Sequence, residues 1–258
     1  MLSVTLLSIL VCAVHSAKVD PPLPQEAFVV ESKSLASGGY PDLDIILWMV
    51  RPKSYPDEAS DEETYACPEE TRGSYYRGAT RLSLFDRRSS VIVNTIEIRD
   101  YHFPQLDVFE LPYRIMSRYY YRVDPDSRRR PGGKPLILDL KDYNADGRPL
   151  EFVLFDKANC SQLMTALFGF SERQHKVIQY DAHLLCFRGG KATKEVWSWV
   201  DYLFVEKALR PGQWDYTIQY QGPKLHFAIR YDPDAERFVG SYTEEKDNSG
   251  TPLNGSRR

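Results

Sequence analysis

Three oxygen-bearing side chains alternate along one short segment of this 258-residue chain. Asp142, Asn144 and Asp146 are separated by single residues, and Gly147 follows the third. Ca²⁺ takes about six to eight oxygen ligands, and calcium loops present them from alternate positions before a glycine turns the backbone. The segment therefore predicts a Ca²⁺ site. The same residues also suit an ordinary β-turn held by bonds from side chains to the backbone, and the sequence leaves both interpretations open.

The rest of the predicted oxygen set comes from the residues that follow Gly147. The main-chain carbonyl of Arg148 supplies a fourth oxygen, with water completing the shell. Leu150 stands at the ninth position and Val153 at the twelfth, where an EF-hand has its bidentate Glu. Glu151 comes one position after the ninth. Its carboxylate therefore reaches the ion only if the following strand starts with an altered register. The predicted ligands are Asp142, Asn144, Asp146, Arg148 and Glu151.

Residues 142–152 resemble the calcium loop of FG-GAP and VCBS repeats, the modules of integrin-α-type β-propellers. The resemblance implies a Ca²⁺-binding turn between two strands. It covers only this loop, and no second copy occurs at the ~40 to 50-residue period of propeller blades, so it does not imply a propeller. Residues 65–73 and 150–155 also resemble secreted bacterial proteins of uncharacterised function, a resemblance that implies no activity.

The first residues are typical of an export signal. Residues 2–14 are almost all apolar, Ser16 and Ala17 are small, and the first charged side chain is Lys18. The apolar run is too short to span a hydrocarbon core of about 30 Å. We therefore predict a signal peptide and a secreted protein, extracellular or periplasmic, with no membrane span in the mature chain.

The charge and the missing motifs exclude several function classes. A net charge of -3 lacks the basic excess of nucleic-acid-binding proteins, so no nucleic-acid partner is predicted. The chain has no His-Glu-x-x-His pair, no Cys-x-x-Cys pair and no glycine-rich phosphate loop. We therefore predict a non-catalytic binding or interaction module, with an unknown protein or glycan as partner and one structural Ca²⁺.

The alternative function is a secreted hydrolase that acts on glycans through an acid pair. A glycosidase needs two carboxyl groups that meet in the fold, and the sequence offers several. A sugar-binding module needs aromatic rings instead, and Trp197, Trp199 and Trp214 are candidates. The candidate acids of the hydrolase are Asp139, Glu151, Asp201 and Glu206.

Three cysteines follow the predicted signal peptide, at Cys67, Cys160 and Cys186. An exported protein permits disulfides, but an odd number leaves at least one thiol outside any pair within the chain. The pair of Cys160 with Cys186 is favoured because the segment between them is the shorter one. Three reduced and buried thiols are the alternative.

The predicted fold class is mainly β with one or two helices, an α+β chain of antiparallel sheets. Short runs of β-branched and aromatic residues, separated by Asp, Gly, Pro and Arg clusters, favour strands. Alternating apolar residues near the C-terminus predict a hairpin that continues into a third strand, a C-terminal β-meander. The predicted strands cover residues 44–50, 80–85, 91–98, 113–123, 135–140, 150–155, 214–220, 225–231 and 238–242.

Helical spacing occurs in two segments. Cys160, Leu163 and Leu167 recur at helical intervals over residues 158–168, and Gly169 follows as a stop. Residues 194–208 predict a second helix, or else a strand at 202–205. The predicted organisation is a signal peptide (1–17), an extended lead-in (18–41), a single β-rich globular domain (42–243) and a disordered tail (244–258).

Overall fold

The regular structure of the chain consists of strands, apart from one short 3-10 helix at Ala36–Gly38. No α-helix occurs in the described residues, and so none there is long and apolar enough to cross a membrane. The predicted signal peptide lies outside these residues. The computed structural model describes residues 20–55, 71–72, 75–101, 104–112, 115–116, 136–159, 162–219 and 222–245.

The N-terminal sheet is antiparallel and has the order β1-β2-β4-β5, with β6 also paired to β4. It confirms the strands predicted at 44–50, 80–85 and 91–98. Its first strand lies within the predicted lead-in, because Phe28 and Val29 pair with Met49 and Trp48, so the sheet begins before residue 42. The strands so far are β1 (Ala27–Leu35), β2 (Tyr40–Tyr55), β3 (Thr71–Arg72), β4 (Tyr75–Asp86), β5 (Val91–Ile98), β6 (Phe109–Pro112) and β7 (Ile115–Met116).

The central sheet is covered on both faces. Residues 163–171 are all buried. Met164, Phe168 and Phe170 pack with the N-terminal sheet, whereas Leu167 packs with the C-terminal sheet. The strands of the central sheet are β8 (Glu151–Asn159), β9 (Gln162–Ser171), β10 (Lys176–Tyr180) and β13 (Val200–Asp201).

The helix predicted over residues 158–168 is wrong, because this segment is the end of β8 and most of β9. A strand buried on both faces is apolar at nearly every position, so its sequence also contains apolar residues at helical spacing. The second predicted helix is wrong as well. Residues 194–208 contain the end of β12 (Lys191–Trp197), then β13, then a turn at 202–205 in place of the alternative strand.

The C-terminal sheet has the order β12-β11-β16-β15-β14. Its last three strands pair in antiparallel succession, which confirms the predicted C-terminal β-meander, whereas β11 pairs in parallel with β16. The predicted tail begins at residue 244, within β16, and residues 246–258 lie outside the described ranges. The remaining strands are β11 (Ala182–Arg188), β14 (Gln213–Gln219), β15 (Lys224–Asp232) and β16 (Arg237–Glu245).

Two further predictions concern the segments between the sheets. Residues 136–140 form no strand, since the N–H of Ile137 donates to the Glu31 carboxylate (2.7 Å) and neighbouring groups bond locally. The strand predicted at 113–123 lies mostly outside the described residues. Cys186 is a buried free thiol, so its predicted pairing with Cys160 is wrong.

A side-chain amide joins the N-terminal and central sheets. The Nδ2 of Asn94, on β5, donates to the Val177 carbonyl (2.8 Å), and its Oδ1 accepts the Val177 N–H (3.0 Å). Val177 lies on β10, an edge strand of the central sheet. The amide therefore satisfies the two backbone groups that a neighbouring strand would otherwise satisfy.

We expect Asn94→Ala to lower the free energy of unfolding by about 1–3 kcal/mol, because it leaves the N–H and carbonyl of Val177 without these partners. Urea denaturation measures the change. Gln219→Ala, which removes an exposed amide from β14, is the matched control and should change stability by less than about 0.5 kcal/mol. Equal losses in the two variants would contradict the bridging role of Asn94.

Candidate functional site

The segment predicted to bind Ca²⁺ forms a tight turn directly before β8. The Asp142 carboxylate accepts the N–H groups of Asp146 (3.1 Å) and Gly147 (2.9 Å). Asn144 Oδ1 also accepts the Asp146 N–H (3.0 Å), and Asp146 Oδ1 accepts the Arg148 N–H (2.8 Å). The β-turn held by bonds from side chains to the backbone, which the sequence also allowed, is therefore present. These bonds leave lone pairs on the same oxygens, since an ionised carboxylate has about four acceptor sites.

The backbone of the turn is left-handed at two positions. Ala145 has φ 67° and Gly147 has φ 88°. Glycine adopts this region without steric cost, whereas alanine pays of the order of 1 kcal/mol. A Cβ placed on Gly212 would lie 3.2 Å from the Ala145 Cβ, so the turn packs closely against the segment that precedes β14.

Glu151, the first residue of β8, is fully buried and directed at the turn. Its Oε2 accepts the Tyr143 N–H (3.1 Å), and its Oε1 accepts the Asn144 side-chain amide (3.1 Å). The same amide donates to Asp146 Oδ2 (3.0 Å). Backbone bonds between Lys141 and Glu151 (2.7 and 3.1 Å) align the two sides of the turn. The sequence left the direction of Glu151 open, and the structure brings this carboxylate to the loop.

Burial raises the pKa of Glu151 from its ordinary value of 4.5 to about 8. The hydrogen bond from the Tyr143 N–H opposes this effect, while the carboxylates of Asp146 and Asp142 reinforce it. The cost of a buried negative charge in this position is removed when the carboxyl group takes a proton, or is offset by a nearby positive charge.

Gly169 provides the space that Glu151 occupies. The two residues are direct partners across β8 and β9. A Cβ at position 169 would lie 2.6 Å from the Leu150 carbonyl oxygen and 3.0 Å from the Glu151 Cγ. The residue predicted as a helix stop is therefore a strand glycine that permits a close backbone approach.

Arg148 differs from the other predicted ligands because its side chain leaves the turn. Its guanidinium bonds to Glu172 and to the Tyr40 hydroxyl. Its carbonyl accepts the Leu150 N–H (3.0 Å). The structure thus brings together the side chains of Asp142, Asn144, Asp146 and Glu151. Among the described residues, no group of three or more His, Cys, Asp or Glu is arranged to hold a metal, and the Ca²⁺ site stays a prediction.

A pocket of about 480 Å³ is lined by residues of the central and C-terminal sheets and by Tyr101, which follows β5 of the N-terminal sheet, and we call it the three-sheet pocket. Its volume falls within the range of small-molecule sites, about 300–1,000 Å³. Its lining combines aromatic, aliphatic and polar side chains from seven parts of the chain. The lining residues are Tyr101, Gln162, Met164, Arg188, Glu195, Val196, Trp197, Ser198, Trp199, Asp201, Leu225, Phe227 and Tyr242.

An ion pair in this pocket is held by its neighbours. Glu195 accepts hydrogen bonds from Arg188 (2.8 Å), Thr193 (2.9 Å) and the Trp197 indole (2.8 Å). The bond from Trp197, followed by that from Thr193, lowers the pKa of Glu195. The Arg188 guanidinium lies 4.9 Å from the ring centre of Tyr242 and 5.6 Å from that of Trp197. Both charged groups are therefore held by contacts with neighbouring side chains.

The aromatic rings of the pocket form no flat platform. The Trp197 ring is inclined by 54° to Tyr242 and by 71° to Phe227. Trp199 is 6 % exposed. Trp214, the third tryptophan predicted for sugar binding, is buried in the core of the C-terminal sheet and does not line the pocket. The rings therefore offer contacts from several directions to one group in the pocket rather than a flat surface to a chain.

The candidate acids of the hydrolase lie in different surroundings. Asp201 is buried and lines the three-sheet pocket, and Glu151 faces the turn. Asp139 forms an ion pair with Lys141 (2.9 Å), and Glu206 is exposed. The acid that shares the pocket with Asp201 is Glu195, which the sequence reasoning missed. No local motif marks Glu195, because its partners come from β11 and β12.

The chain matches no protein-family model and no curated protein. Its class is therefore defined by its fold and sites alone. It is a mainly β protein with a hydrogen-bonded Asp/Asn turn, a buried carboxylate beneath that turn, and an open pocket lined in part by aromatic rings.

Without metal, we expect the free energy of unfolding to fall as pH rises from 4.5 to about 8. The raised pKa of Glu151 means that the folded protein holds a proton that the unfolded chain has released in this window. The stabilisation is fully present below pH 4.5 and is lost as pH passes about 8. Urea denaturation in metal-stripped buffer at several pH values measures the slope.

Glu151→Gln should flatten this slope because the amide does not titrate. Glu206→Gln, which changes an exposed carboxylate, is the control and should keep the slope of the unchanged protein. The assignment to Glu151 is contradicted if Glu151→Gln retains the full slope.

Proposed function

We propose that the chain is a secreted, non-catalytic binding module that takes the end of a glycan in the three-sheet pocket. The observation that carries the proposal is the lining of that pocket, where tilted aromatic rings adjoin an ordered Arg188–Glu195 pair in about 480 Å³. The export signal predicted at residues 1–17 agrees with an extracellular or periplasmic ligand.

The chemistry of the lining matches that of a sugar. A sugar ring presents apolar C–H faces and a rim of hydroxyls. Aromatic rings cover the C–H faces, while guanidinium, carboxylate and amide groups bond the hydroxyls as donors and acceptors. Arg188, Glu195 and Gln162 provide such groups in this pocket. Because Arg188 and Glu195 are already fixed, binding orders few side chains and loses little entropy.

The alternative of a glycan hydrolase draws support from one observation, the presence of Glu195 and Asp201 in the same pocket. Hydrolysis requires a general acid, which is usually a carboxyl group with a raised pKa. The pKa of Glu195 is lowered by its hydrogen bonds to Trp197 and Thr193. A lowered pKa favours the ionised carboxylate, which accepts hydrogen bonds and has no proton to donate. Binding is therefore the favoured function.

A glycan screen followed by calorimetry tests the proposal. We expect a selected glycan to bind the unchanged protein and to bind Glu195→Gln about tenfold or more weakly, because the amide loses the charge-assisted bonds. Glu26→Gln removes one partner of an exposed ion pair on the N-terminal sheet and is the control for charge. It should leave binding unchanged.

Two results would count against this function. The pocket is not a glycan site if no glycan binds at millimolar concentration, or if Glu195→Gln binds as the control does. Release of reducing ends that stops in Asp201→Asn would instead establish the hydrolase.

We also propose that the Asp142–Asp146 turn binds one structural Ca²⁺. The turn contains Asp142, Asn144 and Asp146 and lies over Glu151, so a bound ion would require their oxygens to turn toward one point. Glu151 accepts its hydrogen bonds from the neutral groups of Tyr143 and Asn144. A divalent cation at the turn would offset the repulsion among these carboxylates. Because the turn begins β8, the ion would stabilise the central sheet.

Excess Ca²⁺ should raise the melting temperature of the unchanged protein, since binding to the folded state adds about 2.7 kcal/mol at a concentration 100 times Kd. Asp146→Ala should abolish the rise. Asp42→Ala, at an exposed acid of the N-terminal sheet, should retain it. A melting temperature that does not respond to Ca²⁺ removes the metal from this proposal.

A further inference from the structure

A second pocket lies between the turn at 144–146 and the strands of the meander. Its volume is about 330 Å³, and we call it the loop pocket. The turn forms one wall, and residues 210–213 with Arg230, Tyr231 and Pro233 form the other. Two arginines, Arg210 and Arg230, contribute to this second wall.

Gln213, a neutral residue, is adjacent to both arginines of this wall. Gln213 is the direct partner of Arg230 across β14 and β15, and its Oε1 accepts a hydrogen bond from Arg210 Nε (2.5 Å). Within the described part of the chain, neither guanidinium forms an ion pair with a carboxylate. Two positive charges therefore face one cavity without a paired counter-charge.

The single carboxylate in the lining of the loop pocket is committed to the turn. Asp146 Oδ1 accepts the Arg148 N–H (2.8 Å), and its Oδ2 accepts the Asn144 amide (3.0 Å). Its charge moderates the positive potential of the pocket, and both of these hydrogen bonds are to groups of its own loop. The outward donors of the pocket thus come from the arginine wall.

Backbone hydrogen bonds connect the two segments of this wall. The Leu209 N–H donates to the Gln213 carbonyl (2.9 Å), and the Gln213 N–H donates to the Arg210 carbonyl (2.9 Å). The Tyr231 N–H donates to the Gly212 carbonyl (2.8 Å). This backbone places two like charges in the lining of one cavity, where a bound anion would reduce their repulsion.

We propose that the loop pocket binds an oxyanion carried by a small ligand, either a carboxylate or a phosphate or sulfate group. The planar guanidinium presents paired N–H donors that match the oxygens of these groups, and such charge-assisted bonds are the strong ones. The side-chain amide of Gln213 adds a further donor. The site shares no residue with the three-sheet pocket and does not depend on the proposed glycan function.

Calorimetry with malonate, inorganic phosphate and sulfate on the full chain, in metal-stripped buffer, tests the proposal. We expect at least one of them to bind with a Kd below about 10 mM. The probe that binds most tightly shows whether the pocket takes a carboxylate or a phosphate or sulfate group. Arg230→Gln and Arg210→Gln should each weaken that binding about tenfold or more. Arg230→Lys keeps the charge without the paired donors and should give an intermediate loss.

Two control variants make the result specific to this pocket. Arg88→Gln removes an exposed arginine from the turn between β4 and β5, so it changes the net charge equally and should leave anion binding intact. Glu195→Gln alters the three-sheet pocket and should also leave it intact. The proposal is overturned if none of the three probes binds, or if Arg88→Gln weakens binding as much as Arg230→Gln does.

Discussion

The fold depends on a central sheet whose strands are covered on both faces. β9 contributes Phe168 and Phe170 to one core and Leu167 to the other, so a single strand belongs to both hydrophobic clusters. At about 25 cal/mol per Å² of apolar surface, burial on two faces gives such a strand a larger share of the stabilisation than an outer strand receives. The turn, Glu151 and part of the three-sheet pocket are all positioned by this sheet.

Glu151 is the exception to the apolar character of that sheet. It starts β8 opposite Gly169, and the missing side chain at position 169 is the reason that its carboxyl group fits beneath the turn. An acid is costly at such a place unless hydrogen bonds or positive charge compensate it. The Tyr143 N–H and the Asn144 side-chain amide supply two such hydrogen bonds to Glu151.

Part of this architecture could be predicted from the sequence. Strands with one buried face, such as β14 and β15, alternate apolar and polar residues, so the meander was predicted correctly. β9 lacks alternation because both of its faces are buried, and its sequence is therefore as compatible with a helix as with a strand. The turn at Asp142–Asp146 was recognisable because its residues are contiguous. Glu195 and Arg188 were not, since only the pairing of β11 with β12 brings them together.

The parallel pairing of β11 with β16 has a consequence for how the chain acquires its structure. β11 ends at Arg188, but its parallel partner β16 begins at Arg237, after β14 and β15 have been made. A ribosome therefore completes β11 long before its neighbour exists, and this contact closes a long loop at an entropic cost. Until then the nascent chain presents an open edge at β11, where a chaperone or another strand has time to act.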